Sequence, residues 1–299
     1  MISRLDPSSE AFLAAVNRIN DQAQRATRQI SSGIRISVAS DAPEDLSTLL
    51  RSRAELDQTT QIGDNLGRVK SEVDTAEQTV SNAAKLMDRV ITLAAQGATG
   101  TQSAETRASM AGEVDGIFQQ MVGISTTTMG GRYLFSGDAD STAPYAWDST
   151  AAYPVAGYYG ADATRKISDS AGVTFRVSLN AQQIFDDMND SVFHALWDLS
   201  QGLHNNDATA ISSALGEVKD AGDHLNRQLA FYGTVQNQVS RAVDDASAKE
   251  LRLKSDVASL QETDATEAIL ELTQANIHLQ AALESRARLP RTSLFDFLA

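Results

Sequence analysis

From Phe12 onward the apolar positions recur alternately four and three residues apart, at Phe12, Val16, Ile19, Ala23, Ala26 and Ile30. That spacing is the seam of a helix packed lengthwise on another helix. Pro7 to Ser9 can open it, and Gly33 supplies the left-handed residue that commonly follows a helix end. Ile34 to Pro43 reads as a short irregular segment, with Ser40 or Asp41 placed to start a new helix near Pro43. The longest stripe follows, at Ile62, Leu66, Val69, Val73, Ala76, Val80, Ala83, Met87, Val90 and Ala94. Gly97 to Ser103 breaks it as a turn, and a second stripe at Met110, Val114, Ile117, Met121 and Ile124 predicts an antiparallel helical hairpin.

The period changes at Met129-Gly130-Gly131. Arg132 to Gly137, Tyr153 to Tyr159 and Val173 to Leu179 are short, richer in Tyr, Phe and Val, and bounded by Gly, Asp, Ser and Pro, which predicts a β-rich insert. Helical spacing resumes at Ile184, Val192, Leu196 and Leu199. A long helix then begins with Ile211, Leu215, Val218, Gly222, Leu225, Leu229 and Tyr232 and runs towards Leu260. Asp264 and Glu267 form a capping-box pattern. The last stripe is Ala265, Ala268, Leu272, Ala275, Leu279 and Ala282, flanked by Ile269 and Leu283 and closed by Pro290.

The expected fold is mainly α: a long-helix bundle with N- and C-terminal coiled-coil helices and a small β-rich inserted domain. The expected division is 1–38 with 264–299 as an assembly-dependent terminal region, 39–131 with 181–263 as the bundle, and 132–180 as the insert. Narrow, Ala-rich terminal seams bury too little to be stable alone. They are expected to order on pairing, with Phe12, Val16, Ile19, Ile30, Ile269, Leu272, Leu279 and Leu283 carrying assembly with copies of the same chain.

Composition narrows the function. With 299 residues a sizeable core is possible, and a net charge of −14 argues against nucleic acid or an anionic membrane as partner. No apolar run of spanning length and no apolar secretion signal at the start are expected. The chain has no cysteine, which removes disulfides, thiolate catalysis and thiolate metal sites.

The candidate chemistry is sparse. Asp138-Ala139-Asp140-Ser141-Thr142 opens like a calcium loop, but Ala143 stands where Gly is needed and Ser149 where a bidentate Glu is needed, so a solvated turn is expected. Asp186, Asp187 and Asp190 read as an exposed helix face. His194, His204, His224 and His278 lack ligand spacing and are expected at the surface or an interface. Gly130-Gly131 precedes a strand and not a helix, so it reads as a backbone bend and not as a phosphate loop. No catalytic, cofactor-binding or metal residue is assigned, and no enzyme activity is expected.

Three stretches bear a likeness to known proteins. Ile30-Ser31-Ser32-Gly33-Ile34-Arg35-Ile36 with Ser40-Asp41-Ala42-Pro43 resembles a signature of the bacterial flagellin superfamily. Met129 to Gly137 is similar to a segment of its hook-associated protein 3 branch, as are Thr263 to Leu283 and the ending Ser293-Leu294-Phe295-Asp296-Phe297-Leu298. Coverage is about the first 137 and last 100 residues.

The resemblance implies an extracellular structural subunit of the flagellum, exported through the flagellar type III channel without a cleaved signal. It implies four partners: copies of itself, another hook-associated junction protein on the hook side, flagellin on the filament side, and a cytoplasmic export chaperone. A short filament flagellin is the alternative. Asp88 to Gln96 lacks the central Arg-Glu of the stretch by which some flagellins engage an innate receptor, so no such recognition is expected.

Overall fold

The computed structural model describes residues 7–38 and 41–288. Ser40, Pro290 and the apolar ending Leu294 to Leu298, all read from sequence above, lie outside the described residues. The elements in chain order are α1 (Pro7–Ser32), α2 (Pro43–Gly97), α3 (Ala104–Ser125), β1 (Thr128–Met129), β2 (Arg132–Tyr133), β3 (Lys166–Ser168), β4 (Thr174–Arg176), α4 (Ala181–Phe185), α5 (Val192–His204), α6 (Ala208–Gln261) and α7 (Ala265–Arg288). The fold is mainly α, with two small antiparallel sheets in the inserted region.

Two compact units are present. One comprises Met1–Gln58 with Glu250–Ala299, and the other comprises Thr59–Lys249. The long helices α2 and α6 contribute residues to both.

In Thr59–Lys249 the stripes read from sequence become the core. Val69, Val73, Val80, Met87 and Val90 of α2 are buried with Val114, Ile117 and Met121 of α3 and with Ile211, Val218, Leu225 and Tyr232 of α6. Ser103 caps α3 by accepting the Thr106 N–H at 3.1 Å. Arg107 is buried where two turns meet. Its guanidinium donates to the carbonyls of Gly97 and Thr99, both at 3.0 Å, and to the Asn206 side-chain carbonyl at 2.7 Å. The last carbonyl of α2, at Gly97, which no helical N–H can reach, is thereby satisfied together with that of Thr99 in the turn beyond it.

Within the inserted region, β1 and β2 pair through Gly130 and Gly131, whose φ values of 60° and 79° match the twist of a two-residue hairpin turn. The strands are shorter than the residue pattern predicts and only partly coincide with it. Arg132 to Gly137 is extended only at Arg132–Tyr133, Tyr153 to Tyr159 contributes a single bridge from Val155 to Trp147, and Lys166–Ser168 is a strand that the pattern did not mark. Aromatic residues of the insert, including Phe135 and Tyr153 from the segments read as strands, pin loops onto the bundle. Phe135 meets Phe185 at 6.1 Å and Tyr153 meets Trp197 at 6.0 Å, while Trp147 meets Phe118 edge to face at 5.1 Å and Tyr145 meets Phe193 at 5.0 Å.

Two further expectations are corrected. Asp186 and Asp190 lie between α4 and α5, not on a helix face: Asp186 accepts from the Ser191 hydroxyl at 2.7 Å, and Asp190 accepts from Arg227 at 2.6 Å. His224 is buried, and its ring Nε2 lies 2.9 Å from the Gln183 carbonyl, which satisfies it there. The turn at Asp138 to Thr142 is closed by the Ser136 hydroxyl donating to the Thr142 carbonyl at 2.7 Å, with Asp140 beside Arg132.

Candidate functional site

The unit Met1–Gln58 with Glu250–Ala299 holds the paired helices α1 and α7, the two in which all of the candidate assembly residues lie. They run antiparallel. Near one end Arg286 of α7 donates to the Ser9 hydroxyl at 2.6 Å and lies over the Phe12 ring, 5.5 Å from its centroid. At the other end Ile34, just past α1, bridges Glu262, just before α7. Asp264 starts α7 by accepting the N–H groups of Thr266 and Glu267, which hold its carboxyl below the usual Asp range.

The seam between the two helices is narrow. On α1, Ala26 is buried while Phe12, Val16 and Ile19 are half-buried and Ile30 is exposed. On α7, Ala268 and Ala275 are buried and Leu272, Leu279 and Ala282 are half-buried. Alanine lets the helix backbones approach but removes little apolar area from water, so the pair alone leaves its larger side chains partly wet.

A second apolar surface lies outside this seam. Ile269 and Leu283 are each 53 % exposed, and Leu270 and Ile277 are each 57 % exposed. At 3.6 residues per turn, Ile269 and Leu283 flank the line through Ala268, Ala275 and Leu279, whereas Leu270 and Ile277 fall about half a turn from it. A helix that is apolar on opposite sides is built to be covered on both. Leu13, Val38, Leu50 and Leu251 add further exposed apolar side chains in the same unit. Of the predicted assembly residues, then, five sit in the α1–α7 seam or at its edge half-buried, and Ile30, Ile269 and Leu283 face solvent.

The joint that holds this pair was marked in sequence by a motif but not by role. Gly33 adopts φ 68°, which ends α1 and turns the chain. The Arg35 N–H donates to the Gln261 carbonyl at 2.7 Å, and the Thr263 N–H donates to the Gly33 carbonyl at 3.0 Å. The Arg35 guanidinium reaches both Asp45, at 2.7 Å, and the Leu260 carbonyl, at 2.9 Å. Asp41 closes the intervening loop by accepting from the Ser37 N–H and hydroxyl and from the Val38 N–H at 2.9 to 3.0 Å. Burial works to raise the Asp41 pKa, but those three donors and nearby Arg25 outweigh it and hold the carboxyl below its ordinary value. Ile36, Ala42 and Leu49 are buried beneath this loop with Val257 and Leu260 against them. The charged residues six and ten positions beyond Arg35, in the segment that follows Gly33, were the available signal.

Among the described residues no group of three or more His, Asp or Glu side chains is arranged to hold a metal ion, and no helix is long and apolar enough to cross a membrane. The arrangement offers apolar adhesion and a rigid joint, with no nucleophile or acid–base pair converging on a pocket beside it.

Comparison with known proteins gives a consistent picture. Residues 6–140 match the bacterial flagellin N-terminal helical region, and residues 215–298 match the bacterial flagellin C-terminal helical region, the two together spanning more than half of the chain. The flagellin of Bacillus subtilis is 26 % identical over 284 residues, covering 91 % of both chains. Among solved structures, a protein of Vibrio parahaemolyticus described as a flagellar hook-associated protein aligns with a TM-score of 0.66 at 18 % identity, over 74 % of this chain and 100 % of that one. The flagellar hook associated protein-3 of Legionella pneumophila aligns with a TM-score of 0.63 at 12 % identity, over 70 % of this chain and 98 % of that one.

Proposed function

This chain belongs to the bacterial flagellin family, and from that premise we propose that it is a non-enzymatic structural subunit of the flagellum that joins hook to filament and presents the surface on which flagellin polymerises. The observation that carries this reading is the two-sided apolar character of α7. One side is taken by α1, and the other, with Leu270 and Ile277, is left to a neighbouring subunit. Subunit-to-subunit burial of such faces supplies adhesion, and subunits related head to tail present different surfaces at their two ends, as an adaptor between unlike polymers requires.

The junction role, in preference to a short filament flagellin, rests on two supports. Met129 to Gly137 and the Phe-Asp-Phe ending resemble the hook-associated branch, and the fold aligns over nearly the whole of two hook-associated proteins. On this reading the partners are copies of the chain, a second junction protein towards the hook, flagellin towards the filament, and a cytoplasmic export chaperone before assembly. The working location is the extracellular flagellum, reached by the flagellar type III route without a cleaved signal.

Deletion of the gene tests the proposal. Hooks without filaments, and flagellin released into the medium, are the expected outcome; filaments of normal or reduced length would make the chain an accessory flagellin. In a complemented strain, Leu279→Asp should block incorporation while residues 59–249 remain folded, and normal filament attachment by that variant would remove α7 from the interface.

A further inference from the structure

Far along the chain from α1 and α7, and wholly within Thr59–Lys249, lies a cleft of about 710 Å³ between α2 and the β1–β2 hairpin, with Arg165 and Val177 on its far wall. This is the size of many small-ligand sites. Three guanidinium groups line it, from Arg68, Arg132 and Arg165, and so do three carboxylates, from Glu72, Asp138 and Asp140. The formal charges of the lining therefore cancel.

Several of these groups already face one another. Arg165 is paired with Glu72, Arg132 Nη1 lies 3.4 Å from Asp140 Oδ2, and Arg68 donates to the Asn65 side chain. At the Arg165–Glu72 and Arg132–Asp140 pairs an anion would have to displace a carboxylate from its arginine and a cation the reverse, so neither gains much there. A neutral polyhydroxylated ligand meets no such penalty. Each hydroxyl can donate to a carboxylate oxygen while accepting from a guanidinium, and hydrogen bonds to ionised partners are about twice as strong as neutral ones. The pairs are half-solvated and can reorient at small cost.

The remaining wall suits the carbon face of a sugar ring. Leu134 supplies partly exposed apolar surface, and Tyr133, next to Arg132 on β2, offers an amphipathic ring. The tight Gly130-Gly131 turn at positive φ keeps these two side chains beside α2.

We propose that this cleft binds a short neutral oligosaccharide through its guanidinium–carboxylate pairs, a binding activity separate from subunit assembly. The test uses the full chain at a concentration where it is monomeric. Saturation-transfer NMR and calorimetric titration are run with maltotriose, cellotriose and chitotriose as neutral probes, trigalacturonate as an acidic sugar, and hexa-aspartate as an acidic peptide.

Saturable binding of at least one neutral trisaccharide is expected in the millimolar range. Arg132→Ala and Asp140→Ala should each weaken it about tenfold. Because both side chains are solvent-exposed, circular dichroism and melting temperature should stay unchanged. The proposal is overturned if none of the neutral probes saturates, if binding is indifferent to both substitutions, or if trigalacturonate or hexa-aspartate binds more tightly than every neutral probe, which would mark an anion or protein-docking site.

Discussion

In the unit Thr59–Lys249 the buried side chains are large: Phe118, Phe135, Tyr145, Phe185, Phe193 and Tyr232 are all almost completely enclosed. The unit formed by Met1–Gln58 and Glu250–Ala299 contrasts with it. Four of the seven buried apolar residues among its described residues are alanine, namely Ala26, Ala42, Ala268 and Ala275, beside Ile36, Leu49 and Leu253. Of the twelve large apolar side chains exposed among the described residues, nine belong to this second unit. The same helical spacing therefore builds a finished core in one region and half of an interface in the other. A heptad stripe specifies that a helix will be covered, and the volume of the residues in it decides whether the chain's own helices suffice.

Substitutions can break this contrast in graded steps. Phe118→Ala removes a ring packed against Trp147, Tyr153 and Phe193, and should cost about 3–5 kcal/mol in denaturant unfolding of the full chain. A loss under about 1 kcal/mol would mean that the larger unit is not the rigid core described here. Arg107→Met keeps much of the volume but leaves the Gly97 and Thr99 carbonyls and the Asn206 side chain without their donor. A cost of about 2–3 kcal/mol is expected from the same measurement.

The joint of the terminal unit should respond to acid. The Asp41 carboxyl titrates lower folded than unfolded, so its stabilisation is complete above the ordinary value of 3.8 and is lost as pH falls through the folded value. Amide NMR signals of Ser37 and Val38 should move together in that acid window. Asp41→Asn should abolish the movement and destabilise the joint by about 1–2 kcal/mol; an unchanged titration in that variant would assign it to another group. The smallest effect on the monomer is expected for Ile277→Asp, within about 0.5 kcal/mol, since the side chain is already exposed. Its consequence should appear only on assembly, as a failure to co-sediment with assembled flagellar structures. A marked drop in monomer melting temperature would show instead that Ile277 belongs to an internal core.

Much of the architecture is legible in the sequence. The stripes from Val69 to Ala94 and from Met110 to Ile124 lie in α2 and α3, and Gly33, Pro43, Ser103 and Asp264 mark real helix boundaries. Helix periodicity and capping are local, so a window of ten to twenty residues contains the information. The inserted region was harder, because its Tyr, Phe and Val residues serve loop-to-helix packing as readily as strands. Strand propensity reports a residue that fits a half-buried surface, without saying which surface.

The sequence by itself determined that the chain is built from long helices with apolar seams, that its ends are matched in pattern, and that no familiar catalytic motif accompanies them. Only the tertiary structure decided that α1 takes one side of α7 and leaves Leu270 and Ile277 open, that Arg35 and Asp41 lock the joint, and that His224 is buried. The first two depend in part on residues more than two hundred positions apart, such as Arg35 and Leu260, meeting in space, and the burial of His224 on its meeting Gln183 of another helix. Periodicity names the face of a helix that needs a partner; identifying that partner requires the distances between elements, which no local pattern contains.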